Sequence, residues 1–141
     1  MTEKRKKTNR QIGKAARAKG NRGELEFAKL IDHWLDDAVV KRTPNSGGLW
    51  IPGDLNGVPY IHVEAKRQET ICMGAWIKQA TEDCPEDLIP LIGYRKNHMR
   101  WRIDMDAEDF LGIYAVTLGL CAQHGVDLME EIDKLREEKL S

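Results

Sequence analysis

Long apolar runs are missing from this chain of 141 residues. No stretch approaches the ~20 residues needed to cross a bilayer, and the basic N-terminus carries no apolar segment of the kind that directs export. Neither membrane insertion nor secretion is expected. Cysteine is also scarce: Cys72, Cys84 and Cys121 are an odd number, spaced 12 and 37 residues apart. That spacing fits neither a disulfide framework nor a zinc-ligand pattern, and it points to a reducing, cytoplasmic setting. The cysteines then read as small, partly buried hydrophobes. Neither an internal repeat nor a proline-rich linker divides the chain, so one globular domain with flexible ends is expected. What is present suffices for such a domain, since 41% hydrophobic residues with four Trp can build a core and 32% charged residues can solvate it.

The net charge of -1 hides a strong asymmetry. Residues 1–22 hold nine Lys or Arg against Glu3 alone, so the other 119 residues are as strongly acidic as this stretch is basic. A basic arm releases counterions when it meets phosphates, which makes residues 1–18 a candidate flexible nucleic-acid arm. A solvated tail that merely aids solubility is the plainer alternative.

From Asn21 to Ala38 the residues Leu25, Ala28, Ile31 and Leu35 recur at spacings of three and four, with Phe27, Leu30 and Trp34 alongside. This predicts an amphipathic helix N-capped by Asn21. Val39-Val40, Leu49–Leu55 and Tyr60–Lys66 read as strands, interrupted by a Pro- and Gly-containing loop at 43–48. In the third of these, Ile61, Val63 and Ala65 alternate with His62, Glu64 and Lys66, so one face is expected to be buried and the other chemical. A helix at Ala75–Asp83 follows, then strands at Leu88–Arg95 and Arg100–Met105 joined by a turn at Lys96-Asn97-His98. Asp106 caps a helix reaching about Cys121, and an acidic helix occupies Val126–Leu140. The order of elements favours an α/β fold with a central mixed sheet flanked by helices.

Glu64 and Lys66 must project from one strand face, because side chains repeat every second residue. Asp54 lies ten residues upstream. Two carboxylates can hold Mg²⁺ or Mn²⁺, and a lysine can orient or deprotonate an attacking water, which are the parts that phosphodiester hydrolysis needs. A lone Glu-x-Lys on an edge strand would be a weak surface pair. Asn56-Gly57 signals a tight hairpin, but that register would put Asp54 and Glu64 roughly 17 Å apart. A hairpin centred on Pro59 would instead bring the two carboxylates face to face, and proline's inability to donate to a strand ladder favours it.

Lys19-Gly20-Asn21-Arg22-Gly23-Glu24 opening a helix, then Val39-Val40-Lys41-Arg42, Ser46, Gly53-Asp54-Leu55 and Val63-Glu64-Ala65-Lys66, resembles the archaeal Holliday-junction resolvases and related phage-type nucleases. These belong to the restriction-endonuclease-like PD-(D/E)xK superfamily. The resemblance covers roughly residues 19–105 and lies in the order and spacing of elements; Gly53, not proline, directly precedes Asp54. It implies a restriction-endonuclease-like core over 19–123 with a C-terminal acidic helix over 124–141. It also implies a Mg²⁺-dependent endodeoxyribonuclease, resolvase-like and working as a homodimer, in the host cytoplasm if phage-encoded.

On that resemblance Glu24, Asp54 and Glu64 are metal ligands and Lys66 completes the catalytic set. Ser46, Gln79 and His62 are accessory candidates. Glu24 could equally serve the helix start, three residues after Asn21. Lys14, Arg17, Lys19 and Arg22, with Arg95, Lys96, Arg100 and Arg102 around Trp101, are candidate DNA contacts, although Trp101 could simply pack inward. A non-catalytic DNA-binding module is the alternative function, but three acids facing phosphates would only weaken it.

Overall fold

The computed structural model describes residues 6–44 and 53–141. A five-stranded mixed sheet forms the centre: β1 (Lys41–Arg42), β2 (Leu55–Asn56), β3 (Ile61–Arg67), β4 (Ile89–Arg95) and β5 (Arg102–Asp104) lie side by side in that order. Only β3 and β4 run parallel, and β1–β2, β2–β3 and β4–β5 are antiparallel. A parallel pair needs a long crossover. Helix α2 (Met73–Asp83) supplies it.

Helix α1 (Asn9–Trp34) begins twelve residues before the expected start. Its N-cap is Thr8, which forms a reciprocal capping box with Gln11, so residues 9–18 of the basic segment are helical and Asn21 is a mid-helix residue. The expected Val39-Val40 strand is shifted to Lys41–Arg42, where pairing with β2 begins. The expected strand from Leu49 shrinks to Leu55–Asn56 among the described residues, and its first half, like Ser46, lies outside them.

The sheet is covered on both faces. On one, Phe27 and Ala28 of α1 pack with Val40, Leu55, Val63 and Ala65. The α1 stripe therefore centres on Phe27, while Leu25, Leu30 and Leu35 remain well exposed. Gly93 of β4 makes this contact possible, because a Cβ there would lie 2.0 Å from the Phe27 ring. On the other face Trp76 and Ala80 of α2 pack on Ile92 and Tyr94. Hence the second face of β3 is not open: His62 and Glu64 are each only 2% exposed.

Two helices follow the sheet. Asp106 caps α3 (Ala107–His124), accepting from the amides of Glu108 and Asp109, and Asp127 caps α4 (Leu128–Leu140). Neither packs closely on a strand of the sheet. The far end of α4 returns to α1, where Lys139 pairs with Asp36 and its carbonyl lies 2.7 Å from Nε2 of His33.

Candidate active site

The β2–β3 register places Leu55 opposite Val63, and the amide of Asp54 donates to the carbonyl of Val63 at 2.9 Å. Asp54 therefore stands across from Glu64, as in the hairpin centred on Pro59. The turn between the strands is wide, with Tyr60 at φ 66, so Asn56-Gly57 is not a two-residue hairpin loop. One oxygen of Asp54 accepts from the amide of Ala65 at 2.8 Å, which anchors its carboxyl over the Glu64–Lys66 stretch. The Asp54 and Glu64 carboxyls lie close enough for each to shift the ionisation of the other.

Their electrostatics follow from this crowding. Asp54 is pushed up to about 7, first by burial and then by the negative charge of Glu64, against the lowering effect of the Ala65 amide. Glu64 goes the other way. Burial would raise it, but hydrogen bonds from His62 and Asp54, with the charges of His62 and Lys66, hold it below its ordinary value. The two carboxyls are thus driven in opposite directions, Asp54 the harder to ionise and Glu64 the easier, in the manner of two acids forced together.

His62 is the most thoroughly buried partner of this pair. Its Nε2 lies 3.1 Å from Oε1 of Glu64. The ring also lies beneath Gly53, which has φ 86 and where a Cβ would come within 3.2 Å of the ring. Glycine suits this position chiefly for conformation, because side chains rarely adopt so positive a φ. Lys66 donates to Oε1 of Gln79 at 3.0 Å, so the α2 residue expected as an accessory does meet the lysine.

Glu24 faces the sheet side of α1, half-buried, and its partner is Arg42: Nε donates to Oε2 at 2.5 Å while the same guanidinium reaches Asn21 at 2.7 Å. Its charge adds to the raising of Asp54, so it stands near the pair without joining the hydrogen bonds. Among the described residues no group of three His, Cys, Asp or Glu side chains is arranged to hold a metal ion. Two carboxyls with an excess of negative charge nevertheless suit a hard divalent cation, which takes oxygen ligands and keeps several waters.

Sequence reasoning missed Glu26. It accepts from Arg67 at 3.1 Å, from Nε1 of Trp101 at 2.9 Å and from Arg95, tying α1 to β3, β4 and the turn before β5. Trp101 also stacks on Phe27 with ring centroids 4.5 Å apart. The inward-packing alternative for Trp101 therefore holds, and Arg95 is committed to this network. Lys96, Arg100 and Arg102 are exposed, as are Lys14, Arg17 and Arg22 along α1; Lys19 pairs with Glu69. Cys72 is exposed, contrary to the small-hydrophobe reading, and Cys84 and Cys121 are half-buried.

With this geometry in place, comparison with known families decides the lineage. Residues 15–127 match the family model described as "Phage putative PDDEXK endonuclease". The chain belongs to this PD-(D/E)xK nuclease family. No curated protein and no solved structure matches it. The five-stranded mixed sheet with flanking helices is consistent with the restriction-endonuclease-like fold of that superfamily. The matched span includes the Asp54, Glu64 and Lys66 cluster, most of α1 and all of α3. Among the described residues no helix is long and apolar enough to cross a membrane.

Proposed function

We propose that this PD-(D/E)xK nuclease hydrolyses DNA phosphodiester bonds with a divalent metal, Mg²⁺ or Mn²⁺, and prefers branched substrates of the four-way-junction kind, two copies acting together. The observation that carries the reading is the pairing of the Asp54 and Glu64 carboxyls across the β2–β3 register, beside a lysine on the same face as Glu64.

Asp54 and Glu64 would hold the metal, with Glu24 as an outer carboxylate kept in place by Arg42. When bound, the ion supplies Lewis-acid polarisation of the phosphate and lowers the pKa of a water. The chain's own residues do the rest. His62 holds Glu64 ionised and oriented. The Ala65 amide fixes Asp54. Gln79 aims Lys66, whose ammonium can position an attacking water and offset charge building on the phosphate. Lys14, Arg17, Lys19, Arg22, Lys96, Arg100 and Arg102 supply DNA-backbone contacts, and Ser46 joins Gln79 and His62 as an accessory residue of the catalytic site.

The decisive experiment is cleavage of a panel of branched and linear DNAs, with Mg²⁺ or with EDTA. Cleavage should require the metal and fall by about 100-fold or more in Asp54→Asn, Glu64→Gln and Lys66→Ala, with folding kept. Glu64→Gln protein that cuts as fast as wild type would sink the assignment. Metal-independent DNA binding without cleavage would instead favour the non-catalytic module.

A further inference from the structure

Thr43 follows directly on β1 and is only 6% exposed. Its amide donates to the carbonyl of Asp54 at 2.8 Å, which continues the β1–β2 register one step beyond the Arg42–Leu55 pair. Residues paired across antiparallel strands point to the same face, and successive residues alternate. Leu55 packs with Phe27 and Ala28 of α1, and Arg42 reaches Glu24 of the same helix. Thr43 and Asp54 therefore share the opposite face, the one that carries Glu64. Paired residues of this kind hold their Cβ atoms roughly 5 Å apart, so a side-chain rotation brings hydroxyl and carboxyl within reach of one another. Yet Oγ1 of Thr43 is buried and has no hydrogen-bond partner among the described residues. A hydroxyl left so costs stability.

We propose that Thr43 is a positioning residue for Asp54, its hydroxyl donating to the Asp54 carboxylate when a divalent cation occupies the site. This role rests on the metal-dependent reading above and adds to it a group that touches neither the ion nor the DNA.

Three features favour Asp54 as the partner. Burial of Oγ1 closes it to DNA, so the partner is internal, and the register sets Asp54 alongside. The carboxyl also has capacity for the bond. Its Oδ2 accepts from the Ala65 amide, and an ionised carboxylate offers about four lone-pair sites in all. Finally, a hydroxyl is neutral, so it can orient the carboxylate without adding a positive charge that would repel the cation. Carboxylates that hold metals are themselves held by such hydrogen bonds, and loss of one partner costs about 10–100-fold in affinity.

Calorimetric titration of the full chain with Mn²⁺, together with thermal melts in EDTA, tests this. Thr43→Val removes the hydroxyl and nearly keeps the shape. It should bind Mn²⁺ about tenfold or more weakly, yet melt no lower than wild type without metal, because the group it loses is unpaired there. Thr43→Ser should restore most of the affinity. A purely structural threonine would leave Mn²⁺ binding unmoved in the valine variant, and that result overturns the proposal. So does a valine variant that melts well below wild type in EDTA, which would show the hydroxyl already bonded within the metal-free fold, or a serine variant that binds as poorly as valine. These three outcomes leave the nuclease reading standing, whereas wild-type protein that takes up no Mn²⁺ overturns both.

Discussion

At Asp54 the two carboxyls leave a measurable mark on stability. Its value is about 7 in the folded protein against 3.8 for the free side chain, so between these pH values the native state holds a proton that the unfolded chain has released. Metal-free stability should therefore be greatest below the unfolded value and fall as pH rises toward and through 7. Glu64, lowered, contributes in the opposite sense and loses its contribution only at the acid end. Thermal melts in EDTA should show the decline, and Asp54→Asn should flatten it and stabilise the protein by roughly 1–3 kcal/mol near pH 8. An unchanged slope in the variant would mean that the proton resides elsewhere. His62 gives a second test, because its ring both supports Gly53 and meets Glu64. His62→Ala should cost about 2–3 kcal/mol and weaken Mn²⁺ binding about tenfold or more. Unaltered titration calorimetry would leave His62 a packing residue only.

Among elements, α1 is held to the sheet by a carboxylate as much as by its apolar face. Glu26→Ala would strand two guanidiniums and an indole N–H, and an expected loss of about 2–4 kcal/mol in urea unfolding checks this. Glu26 could not be read from its neighbours, because Arg95 and Trp101 lie 69 and 75 residues away. Other features were legible. The Asp54–Glu64 register followed from what a shared metal requires of two carboxylates, and it overrode the Asn56-Gly57 turn signal. The start of α1 was legible in principle: Thr8-Asn9-Arg10-Gln11 is a capping box, and the Ala, Lys and Arg of 14–19 are good helix formers. Dense positive charge pointed to a tail instead. The burial of His62 and Glu64 was obscured because α2, which covers that face, meets it through Trp76 and Ala80 on β4.

For the whole molecule, the charge asymmetry becomes a geometric one, since Lys14, Arg17 and Arg22 project from a single helix whose later turns pack on the sheet. Deleting residues 1–18 removes seven Lys or Arg but leaves the helix from Gly23 onward, where burial starts. Filter binding should show weaker association and a shallower salt dependence, with the melting transition little changed. An unaltered slope would exclude the segment as a DNA arm. The sparse attachment of α3 has a different consequence. The C-terminal pair is tied to the body at Lys139, through Asp36 and His33. Helices so lightly held open on their own, ahead of the sheet, and their amides exchange with deuterium at a rate set by that local opening. In one chain, then, the amides of α3 and α4 should exchange well before those of β3 and β4, a contrast that mass spectrometry of deuterium uptake reads directly.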